Sequence, residues 1–225
     1  MKRAVFEKDF IRVEDSETGT PGAFLKFAFR VQAALYKLRY RFVHVKPQDK
    51  KYNVAVCAIF KNEAPYLKEW IEFNHLVGVE HFYLYNNNSD DDFKRVLEPY
   101  IKKGTVALID WPYNHSQFKA YKHCYENFRN ETNWISFLDA DEFFVPKYAD
   151  TIEEWLASFD KYPAVNIHWR MFGTGGQLKH DYSKNVMEQY FTCFDELYSH
   201  GKCLINTRYD IASFDLWHVH HHTYM

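Results

Sequence analysis

The chain has 225 residues, with 28 lysines and arginines against 30 aspartates and glutamates, so its formal net charge is −2. A hydrophobic share of 47% and an aromatic share of 19% suffice for one large buried core. The four cysteines form no Cys-x-x-Cys pair, which argues against a disulfide framework and favours free thiols in a reducing compartment.

Residues 1–51 form a basic extension that differs from the rest of the chain. Residues 21–51 hold eight lysines or arginines against one acid, whereas residues 52–225 hold 16 basic and 24 acidic residues. Apolar side chains recur at helical spacing between Phe24 and Phe42, which predicts an amphipathic helix too charged to span a bilayer. This helix either lies on anionic lipid headgroups or packs on the following domain with its charges in water.

The basic extension also bears on partners and localisation. No base-stacking or base-reading motif accompanies its charge, so nucleic acid is not a predicted partner. The first twenty residues lack the continuous apolar core of a signal peptide. We therefore expect a cytoplasmic protein. If its basic helix lies on lipid headgroups, we expect it to attach peripherally to the inner face of a membrane.

From residue 52 onwards, the pattern alternates between strands and helices. Four apolar runs of strand length predict strands at 52–60, 80–85, 105–110 and 134–138. Helical spacing follows the first run, with Pro65 in the first turn and Gly78 beyond the end, and the stretch 92–103 predicts a second helix that Gly104 ends. The alternation predicts a single α/β domain over 52–225, with a mostly parallel sheet and helices on both faces.

Two carboxylates, Asp139 and Asp141, follow the fourth predicted strand. Side chains two residues apart in a strand share a face, so both should emerge at the carboxyl edge of the sheet, where open α/β sheets bind ligands. Two hard oxygen ligands suit Mg²⁺ or Mn²⁺, which leave positions free for substrate phosphates. The alternative is an acidic turn that caps the following segment.

Several further motifs occur in a distinctive order over residues 52–222. They are Ala58–His75 with Gly78, Tyr83–Asp90, Gln117-x-x-Ala120-Tyr121-x-x-Cys124, Leu138–Phe143, Trp169–Gly176 and Lys202-x-Leu-Ile205. Together they resemble the glycosyltransferases of the GT-A type, most closely the family-two-like and family-ninety-two-like groups. The resemblance implies a Rossmann-like GT-A sheet and an inverting transfer of sugar from a nucleotide-sugar donor to a glycan or lipid-linked acceptor, as in polysaccharide biosynthesis. It favours a UDP-sugar as donor and Mn²⁺ or Mg²⁺ as cofactor.

The resemblance also implies a metal site. Asp139 and Asp141 are the predicted ligands, and a carboxyl-terminal histidine is expected to complete the shell. His218 is favoured and His220 is a close second, since the two share a face in an extended segment. A solvated histidine cluster or the remnant of a purification tag is the alternative.

By the same resemblance, the donor should contact residues after the first two strands. Asn62 and Glu63 are expected beside the nucleoside, and Asp90 is expected at the base or ribose. Gln117 and Tyr121, four apart and therefore neighbours on one helix face, could reach the diphosphate or the sugar. A helix-dipole role for Glu63 and a core role for Tyr121 are the alternatives.

Acceptor-side residues are expected after the Leu138–Phe143 motif. An inverting transfer needs a group that takes the proton from the acceptor hydroxyl. Glu188 is the predicted general base, chosen over Asp181 and Asp195 because Val186–Phe191 resembles the family segment after the glycine-rich loop. Trp169 could stack on a sugar face, and Gly173 could let the backbone approach a ligand. The alternatives are that Glu188 is a surface carboxylate, that Trp169 is simply buried and that Gly173 only forms a turn.

Two other classes of protein remain as rivals. A phosphatase of the haloacid-dehalogenase type also places Asp-x-Asp after an apolar strand, but there the motif opens the domain, whereas here it follows three strands. A silent module could bind a nucleotide sugar or a glycan without turning it over. The chain stops three residues after its histidines, whereas related enzymes commonly continue, so either part of the acceptor site is absent or the protein is a minimal version.

Overall fold

The computed structural model describes residues 49–195, 197–198 and 200–209, together with Val31 and Leu38. The chain separates into two compact units, Met1–Val45 and Lys46–Met225. Val31 and Leu38 have helical backbone, and the rest of the predicted amphipathic helix before residue 49 lies outside the described residues. Its membrane contact stays a prediction. Within the described part of the chain, no helix is both long enough and apolar enough to cross a membrane.

The second unit alternates strands and helices in the predicted order. Its strands are β1 (Tyr52–Phe60), β2 (His81–Asn86), β3 (Val106–Asp110), β4 (Thr132–Phe137), β5 (Ala164–His168), β6 (Phe172–Gly173), β7 (Thr192–Cys193) and β8 (Gly201–Asn206). Its helices are α1 (Ala64–Leu76), α2 (Phe93–Lys102), α3 (Gln117–Phe128), α4 (Ile152–Leu156) and α5 (Val186–Gln189), with a 3₁₀ turn at Ala157–Phe159.

Six of these strands form one sheet in the order β3-β2-β1-β4-β8-β5. The strands β3, β2, β1 and β4 are parallel to one another, as predicted, whereas β8 runs antiparallel to both β4 and β5. The short strands β6 and β7 form a separate hairpin. The mostly parallel α/β fold predicted from the sequence is therefore confirmed, and the antiparallel strand β8 is an addition to it.

Helices cover both faces of the sheet because successive strand residues point to opposite sides. On one face, the Trp70 ring of α1 packs 5.4 Å from the Phe82 ring of β2. On the other, Tyr121 of α3 packs 5.0 Å from Phe137 of β4, in a cluster that also buries Cys57. Each large apolar side chain buried in this way contributes about 1.5–3 kcal/mol. All four cysteines are free thiols, and only Cys193 among them is exposed.

Helix α1 holds the loop that follows β4. The indole Nε1 of Trp70 donates to the carbonyl of Glu142 at 2.8 Å. The side-chain oxygen of Asn74, which is fully buried, accepts from the backbone N–H of Phe144 at 3.1 Å. These two bonds satisfy buried polar groups and fix the position of the Asp139–Glu142 turn relative to α1.

Candidate functional site

Asp139 is anchored by three donors from two separate elements. Its Oδ1 accepts from Gln117 Nε2 at 2.9 Å and from the Tyr121 hydroxyl at 3.2 Å, both on α3. Its Oδ2 accepts from Lys202 Nζ of β8 at 2.9 Å. Gln117 and Tyr121 are also bonded to each other at 3.0 Å, which confirms that they are neighbours on one helix face. The carboxylate therefore has a fixed orientation while its side chain stays 39% exposed.

Lys202 is a buried cation that neutralises this corner of the sheet. Its side chain is 3% exposed, and its Nζ also lies 3.3 Å from Glu142 Oε2. Burial raises the pKa of Glu142, the Lys202 ammonium lowers it in part, and the Asp139 charge raises it again, so that the pKa is about 7. Glu142 Oε2 also accepts from the Asp139 backbone N–H at 2.9 Å, which closes the turn.

Asp141 has different surroundings from Asp139. Strand β4 ends at Phe137, and the backbone then turns, with Glu142 N–H donating to the Asp139 carbonyl at 3.1 Å. The alternation of a strand therefore does not extend to the two aspartates, although both still follow the carboxyl end of β4 as predicted. Asp141 is exposed and makes no hydrogen bond or ion pair within the described ranges.

Asp141 instead faces an acidic edge that includes Glu63 and Asp91. Burial raises the pKa of Glu63, and the charges of Asp141 and then Asp91 raise it further. Asp91 Oδ2 accepts from the N–H of Ala64 at the start of α1, at 2.8 Å. Its Oδ1 is buried without a hydrogen-bond partner among the residues that the structure describes. Negative charge thus accumulates between the loops that follow β1, β2 and β4.

Asn62 and Asp90 join two of these loops to each other. The side-chain oxygen of Asn62 accepts from the Asp90 N–H at 2.9 Å, and the Asn62 N–H donates to Ser89 Oγ at 3.0 Å. Asn62 has a φ of 59°, a left-handed conformation that asparagine tolerates better than most residues. The Asp90 side chain is exposed at this edge. These bonds bring the loops after β1 and β2 together, and contact with a nucleoside stays a prediction.

Trp169 lies beside the Asp139 corner through Lys202. The Lys202 ammonium is 5.7 Å from the centre of its ring, and the Tyr198 ring stacks on it with centroids 6.1 Å apart. Part of the ring surface is therefore already covered by protein. Stacking of a sugar on Trp169 stays a prediction.

The other acceptor-side residues lie on or near the loop that carries α5. Glu188 is exposed, and its Oε2 accepts from the Asn185 N–H at 3.0 Å in a capping box. Asp181 holds the Ser183 N–H and hydroxyl, which lower its pKa. Asp195 is exposed. Gly173 has open space where a side chain would begin.

Only part of the predicted metal site lies within the described residues. His218 and His220 lie outside the described residues. In the described part of the chain, no group of three or more metal-binding side chains is gathered in one place. The chemistry of the residues present still fits Mg²⁺ or Mn²⁺, because Asp141 offers an unpaired carboxylate, and these ions commonly take one or two protein carboxylates plus water and phosphate oxygens.

Sequence reasoning missed Lys202 and Glu142 as members of the site. Glu142 directly follows the Asp-x-Asp motif, and Lys202 is a single charged residue in the strand Gly201–Asn206. A lone lysine within a short, otherwise uncharged run of strand length needs a partner once the run is buried, and that run was visible in the sequence.

The chain is similar in sequence to known glycosyltransferases. A family model described as Glycosyltransferase family 92 matches residues 50–224. A glycosyltransferase family 92 protein of Ricinus communis is 31% identical over 150 residues, which cover 64% of this chain and 27% of that protein. The β-1,4-galactosyltransferase galt-1 of Caenorhabditis elegans is 28% identical over 181 residues, covering 69% of this chain and 43% of that protein.

Two further similarities complete the comparison. The galactan β-1,4-galactosyltransferase GALS3 of Arabidopsis thaliana is 30% identical over 133 residues, covering 53% of this chain and 26% of that protein. The chain thus spans less than half the length of these three curated relatives. Among solved structures, S. aureus TarS 1-349 in complex with UDP superposes with a TM-score of 0.44 at 14% identity, covering 69% of this chain and 47% of that one.

Proposed function

Because the chain belongs to glycosyltransferase family 92, we propose that it transfers a hexose from a nucleotide-diphosphate sugar to a glycan acceptor. Relatives named as β-1,4-galactosyltransferases and galactan β-1,4-galactosyltransferases support galactose as the sugar and a β-1,4-linked galactan as the acceptor. The motif resemblance of the sequence supports uridine diphosphate as the carrier and inversion at the sugar carbon. A lipid-linked glycan is the alternative acceptor.

The anchored carboxylate of Asp139 is the observation that carries this proposal. Three donors hold it at the carboxyl edge of the sheet, and Asp141 lies exposed beside it. Such preorganisation matters because a group already held in place need not be ordered when the substrate binds. The loops that Asn62 and Asp90 join offer the adjoining surface for the nucleoside.

The same carboxylates are the proposed metal ligands. Asp141 would bind Mn²⁺ or Mg²⁺ directly, and Asp139 would bind through the one lone pair of Oδ2 that its three donors leave unused. When bound, the ion supplies a Lewis acid that offsets the charge of the departing diphosphate. The unpartnered Asp91 Oδ1 supports the proposal, since a cation at this edge would reduce the repulsion among Asp91, Glu63 and Asp141.

The transfer itself needs a base. The acceptor hydroxyl oxygen forms the new bond to the anomeric carbon, the bond from that carbon to the diphosphate breaks, and the hydroxyl proton goes to a carboxylate. We assign that role to Glu188, whose Oε2 is engaged by Asn185 N–H and which is exposed to an incoming acceptor. A carboxylate serves as base here because the proton leaves as the new bond forms.

Calorimetric titration of UDP with and without Mn²⁺ tests the proposal. Wild-type protein should bind UDP more tightly in the presence of Mn²⁺, and Asp141→Asn should lose that increment because it removes a ligand charge. Asp150→Asn, another exposed aspartate in the loop between β4 and α4, is the matched control and should behave as wild type.

Turnover is then measured as UDP released from UDP-galactose in the presence of a β-1,4-galactan oligosaccharide. Release that depends on acceptor, Mn²⁺ and Asp141 supports the enzyme. Metal-dependent UDP binding with no release from any nucleotide sugar would favour the silent binding module. Binding that is indifferent to Mn²⁺ and to Asp141→Asn would overturn the metal assignment.

A further inference from the structure

Four rings gather on one side of the acidic edge. Tyr66, His180, Tyr182 and Tyr190 form what we call the Tyr–His cluster. The His180 ring lies 5.4 Å from the Tyr66 ring, 4.6 Å from the Tyr182 ring and 5.8 Å from the Tyr190 ring. Tyr182 is 72% exposed, and the other three are half-buried. Tyr66 falls within the Ala58–His75 motif of the sequence, and the sequence predicted a role for none of the four rings.

The loop that carries three of the rings is built around one buried side chain. Gln189 is 5% exposed, and its Oε1 accepts from Gln177 Nε2 at 2.7 Å and from Asp181 N–H at 2.8 Å. Its Nε2 donates to the carbonyls of Asp181, Lys184 and Asn185 at 2.9–3.3 Å. One buried amide therefore ties residues 177–189 into a compact loop.

Helix α1 holds the same loop from the other side. Glu69 of α1 accepts from the N–H groups of Val186 and Met187 at 2.6 and 3.0 Å. His180 Nδ1 and the Tyr190 hydroxyl are 3.0 Å apart, so the rings are bonded as well as packed. Rings that are already ordered lose little conformational entropy when a ligand binds, which favours a binding surface.

The cluster is continuous with the edge assigned to the donor. Tyr66 lies in the first turn of α1, three residues after Glu63. Burial and a hydrogen bond with Tyr182 raise the pKa of the Tyr66 hydroxyl, and the Glu63 charge raises it further. The Asp141 charge in turn acts on Glu63. A ligand on the cluster would therefore extend towards the proposed metal and diphosphate position.

The chemistry of the rings selects among ligands. Tyrosine and histidine present apolar faces together with hydroxyl and ring-nitrogen edges, which match a ring that has C–H faces and a rim of hydroxyls. The Glu63 charge acts on the pKa of Tyr66, and His180 acts on the pKa of Asp181, so negative charge flanks the cluster and disfavours an anionic ligand. A purely apolar chain would leave the hydroxyl edges without partners.

We propose that the Tyr–His cluster binds a pyranose ring of the acceptor glycan, with Tyr182 as the exposed platform. The inference rests on the proposed function, because it names the substrate for the same edge of the sheet. It differs from the sequence-based expectation, which placed the sugar platform at Trp169. Stacking on Tyr182 should contribute to acceptor binding and leave donor binding unaffected.

The test is titration of β-1,4-galactotetraose into the full chain without donor, followed by NMR or calorimetry. Tyr182→Ala should weaken binding at least about tenfold, which corresponds to about 1.4 kcal/mol. Tyr182→Phe, which keeps the ring, should retain most of the affinity. Tyr148→Ala is the matched control, because Tyr148 is 69% exposed, much like Tyr182. Tyr148 is three residues before Thr151, which contacts Gly78 beyond the carboxyl end of α1, whereas Tyr66 of the cluster is in the first turn of that helix.

UDP titration with Mn²⁺ on the same variants separates this inference from the proposed function. Loss of galactotetraose affinity in Tyr182→Ala with unchanged UDP affinity supports the cluster as an acceptor site. Equal galactotetraose affinity in wild type, Tyr182→Ala and Tyr148→Ala would overturn it, as would absence of binding to the wild type. Failure of UDP binding alone would count against the proposed function and leave the glycan site supported.

Discussion

Lys202 Nζ lies 2.9 Å from Asp139 Oδ2, and the Lys202 side chain is 3% exposed. This contact joins the last described strand of the sheet to the first residue of the Asp-x-Asp motif, 63 positions earlier. A lysine buried to this degree needs compensation for lost hydration, and Asp139 and Glu142 together provide it. The same ammonium offsets repulsion between the two carboxylates, which allows negative groups to converge at the proposed donor edge.

Replacing Lys202 by methionine should therefore destabilise the fold. The change keeps the length of the side chain and removes its charge, leaving Asp139 and Glu142 without their cation. We expect a loss of about 1–3 kcal/mol in the free energy of unfolding at pH 8, below the usual range for a fully buried pair because Asp139 is partly exposed. Urea denaturation measures it, with two-state behaviour checked from the slope.

The loss should be smaller at pH 5, since Glu142, with a pKa of about 7, is then mostly protonated in the wild type and gains little from Lys202. Lys184→Met is the control, because the Lys184 ammonium forms an exposed pair with Asp181 at 3.9 Å. That variant should stay within about 0.5 kcal/mol of the wild type. Equal effects of the two substitutions would show that burial of Lys202 carries no electrostatic consequence.

The two aspartates of the motif should differ in their effect on stability. Asp139→Ala removes the acceptor of three donors, including the buried Tyr121 hydroxyl and Lys202 ammonium, and should cost about 1–3 kcal/mol while the protein still folds. Asp141→Ala removes an exposed side chain and should change stability by less than about 0.5 kcal/mol. Thermal unfolding by circular dichroism compares them. A larger loss from Asp141→Ala would contradict the geometry of the turn.

His81 should make the fold sensitive to acid. It is 5% exposed between the rings of Tyr52 and Tyr83, and burial, followed by the nearby Lys51 charge, lowers its pKa from 6.5 to about 4. The unfolded chain binds the proton more readily, so the stabilisation is complete above pH 6.5 and is lost as the pH falls towards 4.

At about 1.4 kcal/mol per pH unit, this interval corresponds to up to about 3 kcal/mol of unfolding free energy. Urea denaturation at pH 4, 5, 6 and 7 should show the decline. His81→Phe should flatten the curve over this interval, since phenylalanine keeps an aromatic ring and does not titrate. An unchanged slope in that variant would assign the acid sensitivity to other groups.

Gly201 should tolerate no side chain. A Cβ at this position would overlap the carbonyl oxygen of Ile167, on the neighbouring strand β5. We expect Gly201→Ala to lower the free energy of unfolding by at least about 2 kcal/mol, because the backbones of β5 and β8 are hydrogen-bonded in the sheet and cannot move apart independently. Gly173→Ala is the control: a Cβ there meets no atom within 4 Å, so stability should change by less than about 0.5 kcal/mol. Similar losses at the two glycines would argue against close approach of β5 and β8.

Gly173→Ala also tests the sequence prediction for this residue. If ligand and backbone approach closely at Gly173, the variant should keep its stability and lose galactotetraose affinity. If both stay unchanged, Gly173 has no role in binding.

The parallel half of the fold could be predicted because its signals are local. Apolar runs of strand length and the glycines Gly78 and Gly104 lie within short windows. They placed β1 to β4 and the second helix to within two residues, and they set the first helix between Pro65 and Gly78. The neighbour relation of Gln117 and Tyr121 follows from helical spacing alone. The turn after β4 was misjudged, because a strand pattern does not reveal where hydrogen bonding to the next strand stops.

By itself, the sequence determined the alternation of strands and helices along the chain and the presence of an acidic motif after the fourth strand, since both follow from periodicities of two to four residues. Only the tertiary structure decided which groups meet that motif. Lys202 reaches Asp139 because β8 runs antiparallel beside β4, and the loop built on Gln189 brings His180 and Tyr182 against Tyr66. Contacts between residues more than sixty positions apart depend on packing and chain topology, which leave no repeat in the sequence.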